Sequence, residues 1–160
     1  MKNLNFKQVL LFLVTLVFMI ASRRPKNAMN TISADAAAKV YVAPGKYDEF
    51  YNFVSGGFSG QMSAYGLPSG RLLRVIPVFS VDPEKGYGFS EETKPMLNTS
   101  HGFVPWDDLH HVQLSKTNGD YDGKWVFGNA NNTPRVARID LKTFRTAEII
   151  ELPNSAGNHS

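Results

Sequence analysis

The sequence predicts an all-β domain behind an amino-terminal signal segment, and three observations favour this fold class. The last quarter of the chain holds three strand-like runs, 124–130, 135–141 and 146–152, which are separated by the short turns NNTP and KTF. Upstream, the apolar and aromatic segments are short and are interrupted by Gly and Pro, as strands with tight turns are. The length of 160 residues and the hydrophobic share of 42% are those of one globular domain.

The first segment has the pattern of a secretory signal. Lys2 and Lys7 precede the run VLLFLVTLVFMIA, whose 13 residues are too few to cross a membrane comfortably. No arginine pair precedes this run, so general secretion is favoured over the twin-arginine route. We therefore expect residues 1–36 to be signal peptide and linker, with an uncleaved anchor as the alternative, and residues 37–160 to be exported.

The charge balance and the lack of cysteine exclude two classes of protein. The net charge is +3, but residues 1–34 hold five basic side chains and no acid, and the remainder has 12 basic against 14 acidic residues. No basic surface is left to bind phosphate backbones, so nucleic acid is not an expected partner. Because the chain has no cysteine, neither a disulfide framework nor a thiolate metal ligand is available.

The central elements follow in order. EFYNFVSGG (49–57) predicts a strand that Gly56 and Gly57 end. RLLRVIPVFSV (71–81) predicts a strand at a sheet edge or a strand that ends at Pro77. SEETKPML predicts one or two helical turns with Ser90 as the N-cap and a length limited by Pro95.

The three final strands form an antiparallel meander, which is the unit of a β-propeller blade but also occurs in β-sandwiches. His111 and His159 are 48 residues apart in the sequence, close to the repeat of roughly 40–50 residues of a blade. Equivalent positions on successive blades converge on the propeller axis. The spacing favours a propeller but does not exclude a sandwich.

The stretch WDDLHHVQLSKTNGDYDGKW contains two adjacent histidines, His110 and His111, in a chain with four. A solvated loop is one interpretation, and a metal site is the other, because neutral imidazole binds copper, zinc and iron. Adjacent side chains on a regular strand point to opposite faces. Both histidines can serve one site only if the backbone departs from strand geometry, or if they bind different ions of a cluster.

Six ordered blocks together resemble the amino-terminal part of nitrous-oxide reductases. They are GKYDEFYNFVSGGFSGQMSAYGLPSGRLLRVIPVF (45–79), GYGFSEETK (86–94), DDLHH (107–111), TNGDYDGKWVF (117–127), RVARIDLKTF (135–144) and PNSAGNH (153–159). The resemblance covers nearly everything from Tyr41 onward. It implies a periplasmic copper enzyme of denitrification that reduces nitrous oxide to dinitrogen and water. The implied fold is a seven-bladed β-propeller, of which residues 37–160 would supply the first two to three blades.

The resemblance also implies the site residues. Seven histidines of the family bind a tetranuclear copper–sulfide cluster, and three of these positions fall on His110, His111 and His159. Asp108 matches the acidic residue beside the cluster ligands, either as a hydrogen-bond partner of a ligand imidazole or as a loop-capping carboxylate. His101 matches no ligand and is expected in a surface loop. Calcium in the full-length enzyme is left open.

The chain departs from the family pattern because four cluster ligands and the binuclear copper site of the cupredoxin domain have no counterpart in its 160 residues. We therefore expect part of a longer enzyme, inactive as this chain alone. Its expected partners are nitrous oxide, a c-type cytochrome or cupredoxin as electron donor, and a second copy of the full-length enzyme. The alternative function is a non-catalytic exported propeller that serves as a binding scaffold.

Overall fold

A computed structural model describes residues 35–155. The predicted signal run and His159 lie outside the described residues. Residues 35–40 are helical and belong to a unit that ends at Tyr41, whereas every strand lies in a second unit that begins at Val42. In residues 35–155, no helix has the length and apolar character that a membrane crossing requires.

The first sheet has three antiparallel strands in the order β1-β2-β3. They are β1 (Phe50–Ser55), β2 (Gln61–Leu67) and β3 (Leu72–Pro77). Pro77 is the last residue of β3, which is an edge strand of this sheet, as the sequence predicted. Proline is tolerated there because it has no N–H to donate to a neighbouring strand.

A short irregular stretch joins the two larger sheets. The predicted helical turn is a 3-10 helix, Lys94–Leu97, and its N-cap is Thr93 instead of the predicted Ser90. Ser90 closes the preceding turn, where its hydroxyl accepts a hydrogen bond from the Thr93 N–H at 3.1 Å. A two-stranded ladder of β4 (Asn98–Thr99) and β5 (Gly102–Phe103) follows.

The second sheet is a four-stranded antiparallel meander in the order β6-β7-β8-β9. It comprises β6 (Leu109–Thr117), β7 (Asp120–Ala130), β8 (Arg135–Asp140) and β9 (Arg145–Glu151). The three predicted final strands are β7, β8 and β9. The strand that carries the histidine pair, β6, was not predicted from the sequence. The all-β class is confirmed for the described residues, while the propeller remains a prediction.

The core lies between the two larger sheets, and both contribute to it. Met62 and Ile76 of the first sheet and Val126 and Ile139 of the second are almost fully buried. Leu109, at the start of β6, belongs to the same cluster. Its N–H donates to the Gly57 carbonyl at 3.0 Å, so the start of β6 is attached to the end of β1. The histidine pair therefore begins next to the buried core.

Candidate metal-binding site

His110 and His111 lie at a β-bulge. Leu109 pairs with Ala130 and Val112 pairs with Gly128, so the two histidines together face the single residue Asn129 on β7. A bulge of this kind bends the strand and redirects its side chains. A departure from strand geometry was one of the two conditions under which both histidines could serve one site, and the structure has that departure at these residues.

The two imidazole rings lie close together. Their centroids are 5.8 Å apart and their planes meet at 86°. Side chains on opposite faces of a strand diverge, so this short separation shows that both rings leave the bulge on the same side. His111 is exposed, and the side chain of His110 is 29% exposed. Both rings are therefore in reach of a ligand.

Asp108 contacts the first of these rings. Its Oδ2 lies 3.1 Å from Nε2 of His110, and its side chain is only 3% exposed. Its other oxygen, Oδ1, is buried and accepts no hydrogen bond within the part of the chain that the structure describes. Oδ1 faces Gly57, where an added Cβ would lie 3.6 Å away. Asp108 thus contacts the His110 imidazole, and its role beside a metal ligand stays a prediction.

Backbone hydrogen bonds attach the residues before the bulge to three distant segments. The Asp107 N–H donates to the Phe79 carbonyl at 2.7 Å, and the Asp108 carbonyl accepts from the Asn131 N–H at 2.9 Å. Leu109 is attached to Gly57, as described above. These long-range contacts fix the position of the residues that lead into the histidine pair.

A second buried carboxylate, Asp107, precedes Asp108. Both its oxygens accept hydrogen bonds, from residues that include Thr133 at 2.5 Å and the Asn132 side chain at 2.9 Å. It also pairs with Arg135 at 3.4 Å, and these two side chains are 1% and 0% exposed. Burial raises the pKa of Asp107, but hydrogen bonds from Thr133, Asn132 and the Asp108 backbone outweigh it and leave this pKa below its ordinary value.

The structure brings together His110, His111 and Asp108, whereas His159 lies outside the described residues. Within residues 35–155, no group of three or more His, Cys, Asp or Glu side chains is arranged to hold a metal ion. His101 is exposed in the turn between β4 and β5, as expected. The described part of the chain therefore supplies two adjacent imidazoles and no complete metal site.

Asp107 and Arg135 were not predicted from the sequence. Arg135 lies on β8, which buries Arg135, Ala137 and Ile139 on one face. The period of two, counted back from Ile139, would have placed Arg135 on that buried face. A buried arginine requires an acidic partner, but the sequence pattern does not show that this partner is Asp107.

Comparison with known proteins gives a consistent result, although no protein-family model matches the chain. A nitrous-oxide reductase of Pseudomonas fluorescens is 42% identical over 125 residues, which cover 78% of this chain and 19% of that protein. One of Stutzerimonas stutzeri is 39% identical over the same shares. One of Cupriavidus necator is 36% identical over 138 residues, or 84% of this chain and 22% of the relative.

The chain thus spans about a fifth of the length of the curated relatives that it matches. These matches confirm the resemblance predicted from the six sequence blocks. Over about four fifths of its residues, the chain is related to the nitrous-oxide reductases.

Proposed function

We propose that this chain is the amino-terminal part of a periplasmic nitrous-oxide reductase, an oxidoreductase of denitrification. The reaction consumes nitrous oxide, two protons and two electrons and yields dinitrogen and water. Identities of 36–42% to enzymes of that name support the proposal. The structural observation that carries it is the bulge that turns His110 and His111 to one side of β6, next to Asp108.

The donor set suits copper. His110 and His111, together with His159, would hold copper ions of the cluster, and copper supplies the electrons when it is bound. Imidazole binds copper without adding negative charge, and the absence of cysteine removes thiolate as an alternative ligand. The described residues provide only two of these ligands, so further ligands must come from elsewhere in the full-length enzyme.

Asp108 would fix the tautomer of His110. A proton on Nε2 can be donated to Oδ2 of Asp108, 3.1 Å away. In that tautomer Nδ1 carries the lone pair, so Nδ1 is the atom that would face the metal. A carboxylate in this position also makes the imidazole a stronger base and holds the ring in one orientation.

The fold is consistent with the proposed propeller. We assign β6–β9 to one blade, because four antiparallel strands in sequential order are the usual blade. We assign β1–β3 to part of the neighbouring blade. The start of β6 would then face the propeller axis, where ligands from other blades converge. The electron donor and the dimer of the full-length enzyme follow from the resemblance and remain part of the proposal.

Single substitutions in the full-length enzyme test the assignment. His110→Ala, His111→Ala and His159→Ala each remove one imidazole, and we expect each to deplete cluster copper and abolish nitrous-oxide reduction with reduced viologen as donor. His101→Ala is the matched control, because that exposed histidine is expected to bind no copper. Copper content is measured per subunit, together with dinitrogen production. Full turnover by any of the first three variants would contradict the ligand assignment.

The coding sequence downstream separates the enzyme from the alternative, a binding scaffold. Four further histidines at blade spacing and a terminal copper motif with two cysteines would agree with the enzyme. A continuation that lacks both would favour the scaffold.

A further inference from the structure

Asp107 is the most completely hydrogen-bonded carboxylate near the histidine pair. Its Oδ1 accepts from the Asp108 N–H at 2.7 Å, the Asn132 N–H at 3.0 Å and the Asn132 side-chain amide at 2.9 Å. Its Oδ2 accepts from the Thr133 hydroxyl at 2.5 Å and from the Arg135 guanidinium at 3.4 Å. The protein thus satisfies both oxygens of a carboxylate that is 1% exposed.

The adjacent Asp108 is arranged in the opposite way. Its Oδ2 faces His110, and its Oδ1 accepts no hydrogen bond from the described residues. Two buried carboxylates in sequence therefore have different partners. Asp107 accepts hydrogen bonds from backbone N–H groups and neighbouring side chains, whereas Asp108 contacts the His110 imidazole.

The hydrogen bonds of Asp107 connect the two chain segments that enclose the bulge. One segment is 107–109, which leads into the histidines. The other is 131–133, which directly follows β7 residues Asn129 and Ala130 that face the bulge. The Asp107 side chain thus links the segment that precedes the histidines to the loop that follows β7.

Arg135 offsets the cost of burying the Asp107 carboxylate. A buried carboxylate is costly unless it is paired and hydrogen-bonded. The Arg135 side chain is 0% exposed, donates to the Thr133 hydroxyl at 2.7 Å and to the Val104 carbonyl at 3.3 Å, and lies 5.1 Å from the centre of the Phe79 ring. The guanidinium therefore has partners besides Asp107.

We propose that Asp107 is a positioning residue for the His110–His111 pair, acting through the Asp108 backbone and the 131–133 loop to hold the bulge and the Asp108–His110 contact. The link to copper rests on the proposed function, whereas the effect on the imidazole does not. Asp107 has no role in binding the metal itself. Its loss should be visible in the protein without any metal.

The test compares Asp107→Asn with Asp48→Asn in the 160-residue chain. Asp48 is a matched control, because its side chain is also 1% exposed, pairs with Arg71 at 2.8 Å and accepts two further hydrogen bonds from Ser69. It lies before the start of β1, at the opposite end of that strand from the Gly57–Leu109 attachment. In Asp107→Asn, the new NH₂ group must face groups that donated to the carboxylate, whichever way the amide is oriented.

Two readouts are measured beside the thermal midpoint. The first is the tautomer of His110, observed by nitrogen-15 NMR of the imidazole rings in the metal-free chain. The second is the affinity for Zn(II), used as the probe and measured by titration calorimetry. We expect Asp107→Asn to replace the Nε2–H tautomer by a mixture and to weaken Zn(II) binding about tenfold, within the range known for outer partners of metal ligands. Asp48→Asn should lower the midpoint and leave both readouts unchanged.

Thr133→Val provides a milder change if Asp107→Asn unfolds the chain. It keeps the carboxylate and the shape of the side chain but removes the hydroxyl that donates to Oδ2. It should shift the His110 tautomer in the same direction by a smaller amount. An unchanged tautomer in the folded Asp107 or Thr133 variant would overturn the proposal. A tautomer that depends on Asp107 in a full-length enzyme that binds no copper would support positioning and count against the proposed metal site.

Discussion

Gly60 connects the core to the segment that carries the site, and replacing it by alanine should destabilise the protein far more than the same change at Gly70. Gly60 has φ +64°, and an added Cβ would lie 2.7 Å from the Asp107 carbonyl oxygen and 2.8 Å from the Phe79 carbonyl oxygen. Both are backbone atoms, so no side chain can rotate away to make room. Gly70 has φ +69° and no atom within 4 Å of an added Cβ.

The two substitutions share one cost and differ in the other. A non-glycine residue in the left-handed region costs roughly 1–2 kcal/mol, and both variants carry this cost. Overpacking of a filled site adds roughly 1–3 kcal/mol, and only Gly60→Ala carries it. We therefore expect about 2–5 kcal/mol of destabilisation for Gly60→Ala and about 1–2 kcal/mol for Gly70→Ala.

The assay is thermal and urea unfolding of both variants, followed by circular dichroism. A difference of about 2 kcal/mol corresponds to a difference in Tm of roughly 8 °C for a domain of this size. Because the displaced atoms include the Phe79 carbonyl that accepts the Asp107 N–H, Gly60→Ala should also alter the His110 signals. Equal losses of stability in the two variants would refute the close approach of these backbone segments.

Two further predictions concern charge and burial. Burial raises the pKa of Tyr87 to about 12, whereas a tyrosine in the unfolded chain ionises near pH 10. Below pH 10 this hydroxyl is neutral in both states, and the free energy of unfolding is unaffected by its titration. As the pH rises from about 10 to about 12, only the unfolded chain ionises, so roughly 3 kcal/mol of stability should be lost. Tyr87→Phe should remove that pH dependence while losing the hydrogen bond to the Val78 carbonyl, and alkaline unfolding that is identical in both proteins would contradict it. Arg138 pairs with Glu148 at 3.1 Å, and the two side chains are 41% and 50% exposed. Because solvent screens such a pair, Glu148→Gln should change the free energy of unfolding by less than about 1 kcal/mol. Urea unfolding at low and high salt measures this change, and a larger loss at high salt than at low salt would contradict screening by solvent.

The fold could be predicted from the sequence where strands are short and well separated by turns. The runs 124–130, 135–141 and 146–152 correspond to β7, β8 and β9 within a few residues. β6 was missed because its residues are largely polar and half of the strand is exposed. The available signal was Asn118–Gly119, whose φ values of 53° and 92° form the two-residue hairpin loop between β6 and β7. Asn-Gly is the strongest short-range indication of such a hairpin.

The sequence predicted the residue types of the candidate site, which stay a prediction, but not the residues that support them. His110, His111 and Asp108 were identified from their pattern and the family resemblance. Asp107 and Arg135 were not, because charged side chains are rarely fully buried. Their burial depends on each other and on the 131–133 loop, which are contacts between residues more than 20 positions apart. Local sequence patterns do not contain that information.

The long-range supports explain how two adjacent histidines can share one side of a strand. A bulge by itself is a local distortion, and a regular ladder would restore the alternation of side chains. Here the residues before the bulge are held by Gly57, Phe79 and Asn131 from three separate segments, so the start of β6 cannot shift to a regular register without breaking all three contacts. The geometry of the imidazole pair is therefore a property of the packed sheets, and the residues that maintain it lie mainly in segments other than its own strand.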